Sequence, residues 1–126
     1  MELKDMTFLD VLQLDIFREE LEVQIKLERK ALTDAGKMHK RIVLQELIRR
    51  KEFDAERLTA AYYHIMHKEA IAFSSRERQY ITDVCTLAYT RTIRRLQNES
   101  EENSSNPLLR FVRWLLAKLK IKKHIV

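Results

Sequence analysis

The stretch Leu21-Glu22-Val23-Gln24-Ile25-Lys26-Leu27-Glu28 alternates apolar and polar residues, which is the period of a half-buried β-strand. Its reading decides the fold. The flanks are rich in Leu, Glu, Lys and Arg, which favour helix, and no second alternating run exists for a strand to pair with. Read as helix, the segment puts Leu9, Leu12, Ile16, Val23 and Leu27 on one stripe. Leu14, Phe17, Leu21, Ile25 and Leu32 form an adjoining one. Two stripes make the wide apolar face expected of a core helix. Thr7-x-x-Asp10 approximates a capping box at the start of this first helix, and Gly36 is the expected left-handed cap at its end.

Working outward, Ile42, Leu44, Leu47, Ile48, Ala55, Leu58, Tyr62, Ile65 and Ala72 keep helical spacing, so the pattern predicts one long bent helix from Met38 to Phe73. The other reading divides it at Asp54, a suitable N-cap with Phe53 and Leu58 placed as a hydrophobic staple. Ser74-Ser75-Arg76-Glu77 is the clearest start signal, a capping box opening a helix that carries Tyr80, Ile81, Val84, Leu87, Ala88, Ile93 and Leu96. The stretch 98–106 has no apolar residue to bury and reads as a flexible polar linker. Asn106-Pro107 then caps and opens a last helix. The expected fold is all-α. Residues 1–97 form an antiparallel three-helix bundle, or a four-helix one if 38–73 divides, and 107–126 is a tethered amphipathic cationic helix.

Composition narrows the function. The 126 residues include a single Gly, a single Pro and a single Cys. One glycine removes the phosphate-cradling loops of nucleotide enzymes and argues against hairpin-rich β folds. One cysteine rules out a disulfide framework within the chain and fits a reducing compartment. The opening MELKDMTFLDVL carries acidic residues where a secretory leader needs a basic start and an unbroken apolar run, and no segment has the apolar length of a membrane span. A cytoplasmic location is the expectation.

The formal net charge of +5 is unevenly spread. Residues 1–36 hold 5 basic and 9 acidic side chains, whereas 107–126 hold 6 basic and none acidic. The charge therefore belongs to the last helix. Its apolar residues Leu108, Phe111, Val112, Trp114, Leu115, Leu116 and Leu119 cover more than half the circumference. Such a helix can dock on protein, lie on an anionic membrane surface, or follow nucleic-acid phosphates. Phosphate tracking alone does not require Phe111 and Trp114, which weighs against the nucleic-acid reading, and docking on the chain's own body or a partner leads. The expected partner-binding residues are Phe111, Trp114, Leu115 and Leu119 as apolar anchors, with Arg110, Arg113 and Lys118 as charge guides. A second expected patch, for an anionic partner, comprises Arg91, Arg94 and Arg95 with Arg49, Arg50 and Lys51. The other use of these cations is ion pairing with the acidic first helix.

No constellation carries chemistry. His64 and His67 have a spacing that can serve a metal, but Glu-x-x-His pairs are absent and both read as helix-surface residues. Cys85 has no basic neighbour on its helix face and reads as a buried structural cysteine. No catalytic residue, metal, cofactor or small-molecule substrate is expected. The expected function is a non-enzymatic interaction module with protein partners, as a homo- or hetero-oligomer. The alternatives are a direct DNA- or RNA-binding regulator and a peripheral membrane-associated protein.

Leu14-Asp15-Ile16-Phe17 with the acidic and apolar helix that follows resembles the opening helix of GINS replication subunits. Arg57-Leu58, followed by Phe73-Ser74-Ser75-Arg76-Glu77-Arg78-Gln79-Tyr80-Ile81, is similar to that family's Arg-bearing central helix and its Leu-Thr-x-x-Glu helix start. The resemblance covers residues 8–96. It implies a scaffold that holds helicase and polymerase components together by helix faces, with no active-site residues.

Overall fold

Thr7 and Asp10 exchange the two bonds of a capping box in the computed structural model, which describes residues 3–33, 35–69 and 71–103. Thr7 Oγ1 accepts from the Asp10 amide at 3.1 Å, and Asp10 Oδ2 accepts from the Thr7 amide at 2.9 Å. The short helix that follows, α1 (Phe8–Leu12), buries Val11 and Leu12. It stops at Gln13, and α2 (Asp15–Lys30) restarts from Leu14, whose extended backbone gives the cap position without a side-chain bond. The expected first helix is thus two. Leu14 packs against the core, so its apolar side chain stands where a polar cap would otherwise stand.

After α2 come two single 3₁₀ turns, Ala31–Thr33 and Ala35–Lys37. Gly36 lies in the second and does not take a positive φ, so it is not the left-handed cap expected from the sequence. The left-handed positions fall on lysines instead. Lys51 (φ 59°) ends α3 (Met38–Arg49), and Lys68 (φ 55°) ends α4 (Ala55–Met66). Each forms a Schellman closure. Glu52 and Lys51 donate to the Leu47 and Ile48 carbonyls at 2.8 and 2.9 Å, and Glu69 and Lys68 donate to those of His64 and Ile65, both at 3.0 Å.

The first of these closures corrects the single long helix expected over 38–73. The chain turns at Lys51 without a glycine or proline, and α4 begins at Asp54, whose carboxylate accepts from the Arg57 amide at 2.8 Å. Phe53 and Leu58 are both buried, as a staple places them. The last helix, α5 (Ser75–Asn103), starts from the Ser74–Glu77 capping box, with bonds of 2.8 and 3.1 Å. It runs into the stretch read as a linker, making 98–103 helical. No proline interrupts it before Pro107, and its Gln and Glu residues sustain helix. Residues 104–106 and the amphipathic helix expected over 107–126 lie outside the described residues.

The fold is all-α, and no strand occurs among the described residues. One packed unit extends to Ile93. Its core takes Phe17, Leu21 and Ile25 from α2, Leu44 and Leu47 from α3, Leu58 and Tyr62 from α4, and Ile81, Val84 and Cys85 from α5. A second unit begins at Arg94, and its described part, to Asn103, is helix. Among the described residues, no helix is long and apolar enough to cross a membrane.

Candidate interaction surfaces

The arginines that the sequence marks for an anionic partner are placed by the helix ends and faces they occupy. Arg49, in the last turn of α3, closes on Glu46 one turn back, with Nε 3.0 Å from Oε2. Hydrogen bonding from Arg49 holds the Glu46 carboxyl below its usual value. Arg50 points toward the start of α5, where Nη1 donates to Glu77 Oε2 at 2.8 Å and Nη2 donates to the Ala72 carbonyl at 2.9 Å. Its guanidinium also lies over the Phe73 ring, 5.3 Å from the centroid. Lys51 is exposed at its left-handed cap position. Arg91 reaches across to α2 and donates to Glu20 Oε1 at 2.9 Å. Arg49, Arg50 and Arg91 are therefore each held by a carboxylate of the same chain. Arg94 and Arg95 follow in the second unit, where Arg94 is exposed and Arg95 half-buried. Arg110, Phe111, Arg113, Trp114, Leu115, Lys118 and Leu119 lie outside the described residues.

The two central histidines belong to the end of α4. His64 Nδ1 bonds the Glu69 carboxylate. His67 Nδ1 donates to the Tyr63 carbonyl at 2.8 Å, and the Tyr63 ring stacks on its imidazole with centroids 4.2 Å apart. No group of three or more His, Cys, Asp or Glu side chains that could hold a metal occurs among the described residues. Cys85 is fully buried, its Sγ 3.7 Å from the Leu58 carbonyl, and burial pushes the thiol up to about 12.

A shallow groove of about 340 Å³ lies between α3 and α5, lined by His39, Val43, Arg76, Gln79, Tyr80 and Asp83. Tyr80 lines it and donates its hydroxyl to Glu28 of α2. Burial is the main cause that raises this phenol, and the bond to Glu28 adds to it, so it stays protonated at neutral pH.

More informative are apolar side chains left in solvent. On α3, Met38 and Ile42 are 60 % and 58 % exposed, one turn apart. On α2, Val23 and Leu27 are 47 % and 51 % exposed, also one turn apart, and Leu87 of α5 is 49 % exposed. Val23 and Leu27 belong to one of the two apolar stripes that the sequence assigns to a core helix, and Ile42 and Leu87 to helically spaced apolar positions, yet all four are about half-exposed. The bundle covers only one stripe of α2, the one with Phe17, Leu21 and Ile25. The signal was present in the width of the apolar face, which exceeds what one side of a helix can bury in a small bundle.

The chain was compared with protein-family models, curated proteins and solved structures. None of the three comparisons finds a match.

Proposed function

We propose that this chain is a non-enzymatic helical interaction module that binds protein partners through helix faces and through residues 107–126. The carrying observation is the pair of exposed apolar faces, Met38 with Ile42 and Val23 with Leu27. Scattered single apolar residues are ordinary on a surface, but neighbouring ones that share a helix face are the anchors by which helices dock. The resemblance of residues 8–96 to GINS subunits suggests the class of assembly, a replication or other nucleic-acid-processing complex.

The partner class is protein rather than nucleic acid for an electrostatic reason. Arg49, Arg50 and Arg91 already meet Glu46, Glu77 and Glu20. Phosphate on Arg50 or Arg91 would compete with a nearly buried carboxylate, whereas the exposed Arg49–Glu46 pair opens at little cost. The basic segment 107–126 remains the source of any nucleic-acid or membrane affinity.

Affinity capture with the full chain tests the proposal. Wild type should retain a defined protein that Trp114→Ala or deletion of 107–126 releases. DNA binding that falls steeply with salt, in the absence of any protein partner, selects the nucleic-acid reading. Flotation with anionic vesicles that is lost with the same deletion selects the membrane reading.

A further inference from the structure

In the groove between α3 and α5 the acids are engaged and the bases are not. Asp83 accepts from Gln79 Nε2 through Oδ1 at 2.8 Å. Glu28 belongs to an adjoining cavity of about 120 Å³ that shares Lys40, Tyr80 and Asp83 with the groove, and it accepts the Tyr80 hydroxyl. His39, Lys40 and Arg76 are exposed, and among the described residues none of them makes a hydrogen bond or an ion pair. They differ in this from Arg49, Arg50 and Arg91, each held by a carboxylate.

The bases come from both walls, His39 and Lys40 from α3 and Arg76 from α5. Val43 and Tyr80 supply apolar lining. Ile42, 58 % exposed, is three residues on from His39 and shares its side of α3. Small-molecule sites, of roughly 300 to 1,000 Å³, enclose most of their ligand. This groove is shallow, and so suits one side of a peptide better than an enclosed ligand.

We propose that the groove takes an acidic peptide segment of a partner protein, with carboxylates on Lys40 and Arg76 and an apolar side chain on Val43 and Tyr80. Asp83 decides against nucleic acid. A phosphate backbone is repelled by that carboxylate and has no donor to offer it, whereas a peptide N–H can bond Oδ2. Lys40 and Arg76 face a single carboxylate in the groove, with Glu28 taken up by Tyr80, so the net charge is modest. The charges select the segment, and the apolar contact holds it.

The inference rests on the reading that the chain binds protein, and adds the chemistry of one partner segment. Selection from a random peptide library displayed on phage, with the full chain as bait, tests it. Wild type should enrich peptides that carry Asp and Glu around a Leu, Ile or Phe. Lys40→Glu combined with Arg76→Glu places both acids in the first turns of their helices, where they are tolerated, so the circular-dichroism spectrum should not change. The double variant should bind the enriched peptide about tenfold more weakly or worse in fluorescence anisotropy, and should itself enrich basic peptides. Acidic peptides bound equally by the double variant overturn the proposal and move the acid-binding surface to another segment, such as 107–126. Enrichment without an acidic bias, or of no peptide, overturns it as well. A single-stranded oligonucleotide whose binding depends on Lys40 and Arg76, where peptide binding does not, overturns it in favour of nucleic acid. In each of these cases a protein partner that Trp114→Ala releases leaves the interaction module standing.

Discussion

Arg50 Nη1 lies 2.8 Å from Glu77 Oε2, and the other oxygen of that carboxylate accepts the Ser74 amide at 2.8 Å. One nearly buried glutamate thus caps α5 and joins its start to the end of α3. Arg50→Ala leaves that carboxylate with half its partners, which should cost about 2 to 3 kcal/mol. Urea unfolding measures the loss. A double-mutant cycle with Glu77→Gln should give a coupling of about 1 kcal/mol or more, whereas additive losses would mean the two groups act independently.

The two lysines with positive φ make an unusual prediction for a chain that has one glycine. A left-handed backbone costs a residue with a Cβ about 1 kcal/mol, and Gly is relieved of it. Lys51→Gly and Lys68→Gly should each raise stability by about 0.5 to 1 kcal/mol, despite the entropy lost by glycine on folding. Thermal melts should show a gain of a few degrees for each, and Gly36→Ala should also give a small gain, because Gly36 has no positive φ and alanine narrows the unfolded ensemble.

The stripes of α2 separate in their energetics. Phe17→Ala empties a fully buried site and should cost about 3 to 5 kcal/mol, while Val23→Ser and Leu27→Ser at half-exposed sites should stay within about 1 kcal/mol. Comparable losses on both stripes would show that Val23 and Leu27 are covered in the folded chain.

Cys85 gives the alkaline limb of stability. Its thiol is pushed from 9.0 to about 12 by burial, so above pH 9 the unfolded chain releases this proton while the folded chain keeps it. The contribution is fully present below pH 9 and is lost between pH 9 and 12, the folding equilibrium falling about tenfold per pH unit from this group alone. Burial acts in the same direction on the Tyr62 and Tyr80 phenols. Cys85→Ala should flatten the decline between pH 9 and 11. At neutral pH a thiol reagent should react with Cys85 only at the rate of unfolding.

Much of this architecture could be read locally. The capping boxes of Thr7 with Asp10 and Ser74 with Glu77, and the staple of Phe53 with Leu58, involve residues three to five apart, where side-chain chemistry alone fixes the geometry. The alternation at 21–28 lies within α2, as the Leu-, Glu-, Lys- and Arg-rich flanks favour, and no strand occurs among the described residues. The breaks after Leu12 and Arg49 were harder to read because tertiary packing of Leu14 and a left-handed Lys51 make them, with no glycine or proline to mark them. Arg50 and Arg91 find their carboxylates 27 and 71 residues away. The acidic first helix was legible as a partner for the cations, and Arg91 meets Glu20 there, but the pairing of Arg50 with Glu77 emerges only once the helices have packed.

The central claim is that exposed helix faces serve as contact surfaces for protein. Cross-linking mass spectrometry on the tagged full chain in its own cells is the most direct measurement. Cross-links from Lys37 and Lys40, which flank Met38, and from Lys118 and Lys120 should converge on one recurrent protein. Those near Met38 should disappear with Met38→Ser combined with Ile42→Ser, and those from the final segment with Trp114→Ala. Cross-links that recur on no protein, or that persist unchanged in both variants, would contradict it.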